Sequence, residues 1–463
     1  MSLRAQHLVP APRSVVWRWH SQPGAVSRLT PPFLPMTPIE EAANLRNGET
    51  VFTLPGGLRW QARHQPDAFT DGRKFQDACV NEPLATATQW RHTHSFIDHP
   101  AGTVIDDHVE TTAPGFVLHS AFAYRQRQLI ADLESLNRLA DVSPATATYR
   151  EGKPLTIAVT GTHGGVGSRL VNQVTTAGHE VIRLVRGTAD ADQNQRHWDP
   201  DAPADDLLAG VDAVAHLAGA PIFGRFTEEH KRDIYTSRVE PTRKLARLAA
   251  ETDSVRTFVT ASAIGFYGYD RDDEVLAEDS EQGDGFLAQC VADWEAATLP
   301  AQASDNVRVA HVRSGISLAG NAGLLPLLAA AFSTGLGGPF GKGDFWFSWV
   351  SVDDLTDVYF RALVDDSLSG PINATAPNPV SNRTMAKELG KVLHRPAAIP
   401  LPTFAPAVLL DDQGARELAL ADQRVRPTVL QHRGHEFRYK EIGQALRHEL
   451  GGEKLWENSQ LLA

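Results

Sequence analysis

Hydrophobic and polar positions follow two different rhythms in this chain. In the first part they alternate. Trp60, Ala62 and His64 fall on one face and Arg59, Gln61 and Arg63 on the other. The stretch ATATQWRHTHSFIDHP alternates again, with Trp90, His92, His94 and Phe96 on one side, and TVIDDHVETTAPG reads as a further strand ending at Pro114-Gly115. A period of two predicts antiparallel strands with one buried face. In VLHSAFAYRQRQLIADLESLNRLAD the period lengthens: Leu118, Phe122, Leu129, Leu133 and Leu136 recur at threes and fours, as on one helix face. A curved sheet closed by a long helix is predicted.

A polar stretch with no period, DVSPATATYREGKP, separates this region from the next. From Leu155 short apolar runs alternate with amphipathic ones: LTIAVTG, SRLVNQVTTAG, EVIRLVR, VDAVAHLAG, the helical TEEHKRDIYTSRVEPTRKLARLAAE, VRTFVTAS and VRVAHVRSG. Strands buried on both faces and alternating with helices predict a parallel, doubly wound α/β sheet. The last stretch, 380–450, reads as short helices with Pro-punctuated connections, a small cap. The predicted organisation is an α+β domain at 1–145, a linker at 146–154 and a doubly wound domain at 155–463. The C-terminal substrate and cap region of the latter spans about 315–463.

Bulk composition narrows the function classes. The net charge of −12 argues against a broad nucleic-acid or anionic-membrane surface. The two cysteines, Cys79 and Cys290, are far apart, so neither a disulfide framework nor a metal site is expected, and a reducing cytoplasm is the natural compartment. No apolar run is long enough to span a bilayer, and the N-terminus lacks a signal-peptide h-region. Oligomeric state is left open.

TIAVTGTHGGVGSRL carries the strongest chemical signal. An apolar strand ends at Gly161, glycines recur at Gly164 and Gly167, and a helix begins. The first glycine permits a tight turn, the second a close backbone approach to a diphosphate, and the third close packing of helix on strand. The helix N-terminus then favours the anion. Gly161, Thr162, His163, Gly164, Gly165, Val166 and Gly167 are the expected cradle of a nicotinamide dinucleotide. In EVIRLVRG the second strand ends on Val185 and Arg186, with Arg183 nearby, where an NAD site would place a carboxylate. A guanidinium there suits a 2′-phosphate. NADP is therefore expected, with NAD as the alternative.

TGTHGGVG, AHLAGAPI, ASAIGFYG and FSWVSVDDL occur in the order found in extended short-chain dehydrogenase/reductases. HLAGAPI, the TEEHK…SRV helix, FYG, GFLAQCVADWE and VSNRTMAKELGKVLHRP make 151–450 resemble the atypical, nucleoside-diphosphate-sugar epimerase-like branch. The resemblance implies an NAD(P)-binding Rossmann domain. It implies that Leu217, Ala218 and Gly219 line the cofactor near the nicotinamide-side ribose. It places Ser262 at the family's catalytic Ser/Thr, with Ala263 one alignment step away. Phe286 and Cys290 stand where the family has its Tyr and Lys, and Arg238 where a helix asparagine supports proton relay. At the other end of the chain, VPAPRSVVWRWH followed by GAVSRLTPP makes roughly 5–140 resemble the START-like and polyketide-cyclase-like helix-grip domains, which usually enclose an apolar cavity.

A phenyl ring transfers no proton, so any acid or base must lie elsewhere. Ser262, Tyr267, Cys290 and Arg238 are the candidates. Glu295 reads better as an ion-pair partner, and Asp353 and Asp354 as an N-cap. The aromatic run Phe340, Phe345, Trp346, Phe347 and Trp349 is a candidate loop to stack on a flat or sugar ligand, with Lys342 available for a phosphate, or else a hydrophobic flap over the sheet edge. Together with the resemblance, these residues imply an NADP-binding epimerase or oxidoreductase acting on a nucleotide-sugar-like or small carbonyl substrate. The alternative is a non-catalytic NADP-binding sensor whose N-terminal domain binds a hydrophobic ligand.

Overall fold

The computed structural model describes residues 2–112, 115–143, 154–335 and 337–456. All but the last residue of the predicted linker, 146–154, lies outside the described residues. Contacts divide the chain into two compact units: Met1–Pro154 with Asn172–His179 and Arg447–Ala463, and Leu155–Val171 with Glu180–Leu446. The division is thus not a single cut near 150, and the end of the C-terminal region groups with the first unit.

The first unit is built on seven strands: β1 (Ser2–Val9), β2 (Thr37–Glu40), β3 (Glu49–Thr53), β4 (Arg59–His64), β5 (Lys74–Cys79), β6 (Arg91–His99) and β7 (Gly102–Glu110). Every neighbour is antiparallel, in the order β1-β7-β6-β5-β4-β3-β2. Four helices accompany them: α1 (Arg13–His20), α2 (Ala25–Leu29), α3 (Leu84–Thr88) and α4 (Gly115–Val142). On α4, Leu118 and Phe122 pack on Leu3, Ala5 and Val109, while Leu129, Leu133 and Leu136 are buried further along. The three-and-four spacing seen in the sequence is therefore the stripe that meets the core. The alternation read from Ala85 onward begins later than expected. Its first residues form α3, which stops at Gln89 in a left-handed conformation (φ +48°), and β6 opens at Arg91.

This unit encloses a cavity of about 360 Å³ walled by Phe52, Trp60, Phe75, Trp90, Leu118 and Phe122. One buried ion pair fixes α2 to α4. Arg28 donates from Nε to Asp132 Oδ2 at 2.9 Å, and both side chains are 2% exposed.

The second unit contributes β8 (Thr156–Thr160), β9 (Glu180–Val185), β10 (Gln195–His197), β11 (Ala213–His216), β12 (Thr257–Ala263), β13 (Asp270–Leu276), β14 (Arg308–Ser314), the short β15 (Ile316–Leu318), β16 (Trp346–Phe347) and β17 (Trp349–Ser351), and β18 (Gly370–Ala374). Seven of these form a parallel sheet in the order β10-β9-β8-β11-β12-β14-β18. Strand order reverses between β8 and β11, and ligands of such sheets bind at the carboxyl ends beside that switch. The helices are α5 (Gly165–Thr176), α6 (Glu228–Thr236), α7 (Val239–Glu251) and α8 (Phe286–Ala296), followed by several C-terminal ones. Ala158, Leu184, Val214 and Phe258 from the sheet meet Leu245 and Ala249 of α7.

The stretch read as one helix from Thr227 to Glu251 is two. Pro241 has no N–H to continue a helix through Ser237 and Arg238, but a proline is tolerated in a first turn, where α7 places it. The cap ahead of Val352–Val364 is Ser351, not Asp353 or Asp354. Its hydroxyl accepts from the Asp354 N–H at 2.9 Å and donates to Asp354 Oδ2 at 2.6 Å. Of the aromatic run Phe347 and Trp349 are buried, while Phe340, Phe345 and Trp346 are half-buried, and Trp346 donates to Asp273. Among the described residues no helix is long and apolar enough to cross a membrane, and Cys79 and Cys290 are both buried free thiols.

Breaking a buried ion pair leaves one charge stranded, at a cost of about 3–5 kcal/mol. Asp132→Ala should lower the urea midpoint of the first unit accordingly, and Arg28→Met combined with Asp132→Leu should recover most of the loss. A single variant as stable as wild type would show that this pair contributes nothing.

Candidate active site

The carboxyl end of β8 meets the amino end of α5 through the glycine turn. Gly161 has φ +71°, and a Cβ there would lie 2.9 Å from the Leu217 carbonyl. A Cβ on Gly167 would lie 2.2 Å from the Gly161 carbonyl oxygen, so only hydrogen fits. The first N–H groups of α5 have no earlier carbonyl in their own helix, and they open beside the strand-order switch. His163 and Gly164 are exposed there, while the Thr162 hydroxyl is buried with no hydrogen-bond partner.

Thr160 ties this turn to the next strand end. Its Oγ1 accepts from the Leu217 and Ala218 N–H groups at 3.0 and 3.1 Å and lies 2.8 Å from His216 Nδ1. Burial lowers the His216 pKa to about 4, so the imidazole is neutral. With two N–H donors on its oxygen, Thr160 has its own proton left for Nδ1. The structure thus brings Gly161–Gly167 together with Leu217, Ala218 and Gly219. Thr160 was not singled out in the sequence; a hydroxyl immediately before the first glycine was the available signal.

At the tip of β9 Arg186 is exposed, while Arg183 donates to the Gln193 carbonyl at 3.3 Å. Val185 to Ala189 contains no carboxylate.

Ser262, at the end of β12, turns inward and donates to Glu295 Oε1 at 2.6 Å. Arg313 holds the same carboxylate bidentately, with Nε and Nη2 each 2.8 Å from one oxygen. The guanidinium also donates to the Tyr267 hydroxyl at 3.0 Å and lies 3.6 Å from the centre of the Phe266 ring. Tyr267 in turn donates to Asn373 Oδ1 at 2.7 Å. Despite its burial, the Arg313 pair holds the Glu295 pKa below the usual carboxylate value. Burial outweighs Arg313 at Tyr267 and pushes its phenol up to about 12. Ser262, Tyr267, Glu295 and Arg313 therefore form one closed, buried polar network. Asn373 was not visible as its member from sequence, since it arrives from β18.

Phe286 and Cys290 follow a different logic. They share one apolar cluster with Phe226, Ile234 and Leu287, and Phe286 meets the Phe226 ring edge-on at 5.8 Å. Burial pushes the Cys290 thiol up to about 11, against the pull of Arg238. Arg238 donates to the carbonyls of Ala220 at 2.9 Å and Ile234 at 3.0 Å, and it lies over the Trp294 ring. Its guanidinium carbon would be 3.0 Å from a Cβ on Gly219, so it forms the floor of the 217–219 loop.

A parallel sheet with this strand order, a glycine turn at its switch point and a second loop fixed beside it defines a Rossmann-type dinucleotide-binding protein of the short-chain dehydrogenase/reductase class. Residues 157–373 match the NAD dependent epimerase/dehydratase family, and 401–449 match a domain of unknown function, DUF1731. The chain is 38% identical to an epimerase family protein of Mycobacterium leprae over 63% of its own length and 94% of that protein. It resembles the crystal structure of the nucleoside-diphosphate sugar epimerase from Corynebacterium glutamicum with a TM-score of 0.87 and 48% identity, covering 99% of this chain and 92% of that one. Human epimerase family protein SDR39U1 (isoform 2), solved with NADPH, is 29% identical with a TM-score of 0.59, over 64% of this chain and 99% of that one. The chain belongs to this epimerase family.

Glu295 has a folded pKa below its unfolded value. The stability it supplies is complete above about pH 4.3 and is lost as pH falls through the lower folded value. Arg313→Met should cost about 3–5 kcal/mol at pH 7. The gap from wild type should narrow below about pH 4, where Glu295 protonates. Urea unfolding at pH 7 and pH 3 checks this; a gap that is constant with pH would place the effect elsewhere than in the carboxylate.

Proposed function

We propose that the second unit binds a nicotinamide dinucleotide, NADP in preference to NAD. It would act as an epimerase or oxidoreductase on a nucleotide-sugar-like or small carbonyl substrate. The observation that carries this reading is the glycine turn, where side chains are excluded at Gly161 and Gly167 beside a helix N-terminus. The buried, unpartnered Thr162 hydroxyl fits a ligand oxygen at the same place. Gly161 to Gly167 would hold the diphosphate. Leu217, Ala218 and Gly219 would line the adjoining ribose. Arg186, exposed and with no carboxylate beside it at the strand tip, would meet a 2′-phosphate, with Arg183 behind it. The human relative solved with NADPH supports this choice.

When bound, the nicotinamide supplies a hydride donor or acceptor. The chain itself must orient the substrate and manage its proton. Tyr267 stays protonated at neutral pH, Cys290 remains a thiol, and Arg238 contributes a fixed positive charge under the 217–219 loop. Ser262 has the only one of these four candidate groups with its proton on an anionic partner, Glu295. We assign it the polarising role at the substrate oxygen, which it would fill by turning that proton from Glu295 to the substrate.

A second reading is favoured by Phe286 and Cys290, which fill the Tyr and Lys positions with apolar packing. Under it the unit senses NADP without turnover. For the first unit we propose a helix-grip domain. Its antiparallel sheet, long C-terminal helix and enclosed cavity support that assignment and a hydrophobic ligand within.

Two measurements test these readings. In calorimetric titration Arg186→Ala should weaken NADP at least tenfold, about 1.4 kcal/mol, with NAD little changed. Wild type binding both dinucleotides equally would remove the NADP assignment. Incubation of NADPH with a panel of carbonyl compounds should consume NADPH, and incubation of oxidised NADP with nucleotide sugars should interconvert epimers. Ser262→Ala should lose that turnover while still binding NADPH. Tight NADPH binding with no turnover across the panel would favour the sensor.

A further inference from the structure

The cavity of the first unit has a polar end that its apolar walls do not explain. On β6 the two-residue spacing of His92 and His94 puts both imidazoles on one face, and the sheet register supplies a carboxylate to each. Asp77 of β5 lies directly opposite His92, and Asp107 of β7 directly opposite His94. Both histidines and Asp107 are buried, and Asp77 has a side chain only 15% exposed; Asp77, His92 and His94 line the cavity.

The two carboxylates stand at different distances. Asp107 Oδ1 is 3.0 Å from His92 Nε2 and 2.8 Å from His94 Nδ1, within hydrogen-bond reach of both rings. A carboxylate accepts, so each neutral ring places its proton on the nitrogen facing Asp107. The lone pairs are then on His92 Nδ1 and His94 Nε2. Both of these lie 3.7 Å from one oxygen of Asp77, beyond hydrogen-bond reach. The other Asp77 oxygen is occupied, accepting from Trp90 Nε1 at 2.9 Å. With both rings neutral, three acceptor atoms converge with no donor between them; despite burial, Asp107 and Asp77 raise the His94 pKa, so a proton on His94 is the competing way to fill this gap.

Such a cluster calls for positive charge, either a metal ion at its centre or a proton on His94, with Arg125 on the same cavity wall. Ligands bound to one ion at about 2.0–2.2 Å stand roughly 3–3.5 Å from one another, close to the spacing here. The outer partners are those of a metal site: Asp107 fixes the tautomer of both histidines, and Trp90 orients the carboxylate. From this geometry we infer that the first unit binds a divalent first-row transition-metal ion on Asp77 Oδ2, His92 Nδ1 and His94 Nε2. Two imidazoles and one carboxylate suit zinc or iron(II) and leave coordination positions open, here toward the cavity. The site would give the cavity a Lewis-acidic end for a ligand that carries an oxygen donor on an apolar body.

The test uses the full chain, stripped with a chelator and titrated with cobalt(II) against a competing indicator dye. One equivalent should bind with the visible absorption of a low-coordinate site. Asp77→Asn and His94→Gln should lose it, while His108→Gln, on the exposed face of β7, should keep it; circular dichroism checks that each variant is folded. Crystals grown with cobalt(II) add a readout that requires no variant. An anomalous peak among the three named atoms supports the site. No tight equivalent in wild type, binding unchanged in both folded variants, or a peak only at surface histidines would overturn it. In that case a proton shared between the histidines and the two aspartates is what balances the cluster.

Discussion

The contact on which the second unit depends is that of Gly167 with the Gly161 carbonyl. Because nothing larger than hydrogen fits there, α5 starts almost against the end of β8, and its unpaired N–H groups open at the point where strand order reverses. The closeness of the helix start to the 217–219 loop goes with the same tight turn, where a Cβ on Gly161 would meet Leu217 and Ala218. A wider turn would move the helix terminus away from the crevice and leave an ordinary surface loop.

Around this cradle the polar residues are arranged for structure as much as for chemistry. From the sequence Arg313, at a strand end, was open to a cofactor contact or an ordinary strand-end role; it organises Glu295, Ser262 and Tyr267 into one buried network. Opposite, Phe286 and Cys290 are joined to Phe226 and Ile234 by apolar packing, and Arg238 takes its hydrogen bonds from main-chain carbonyls. Phe286, Cys290 and Arg238 are thus accommodated together.

Much of this architecture was legible in the sequence, because periodicity reports burial directly. The leucines of α4, the His92–Phe96 face and the glycine turn all stand where their spacing put them. Errors arose where a local rule was overridden. Alanines and threonines at 85–88 alternate acceptably as a strand but formed a helical turn. Pro241 broke an otherwise continuous amphipathic helix. Ser351 took the cap that the two aspartates after it had been expected to supply. What spacing could not reveal were partners brought by register from other strands: Asn373 to Tyr267, Asp77 to His92, Asp107 to His94.

The hydroxyl of Thr160 has a thermodynamic implication. By holding the amides of Leu217 and Ala218 and facing His216, it keeps the second loop in one conformation before any ligand arrives. Ordering a loop on association consumes free energy that a rigid one retains. A dinucleotide bound as proposed would therefore meet a 217–219 loop already held by hydrogen bonds.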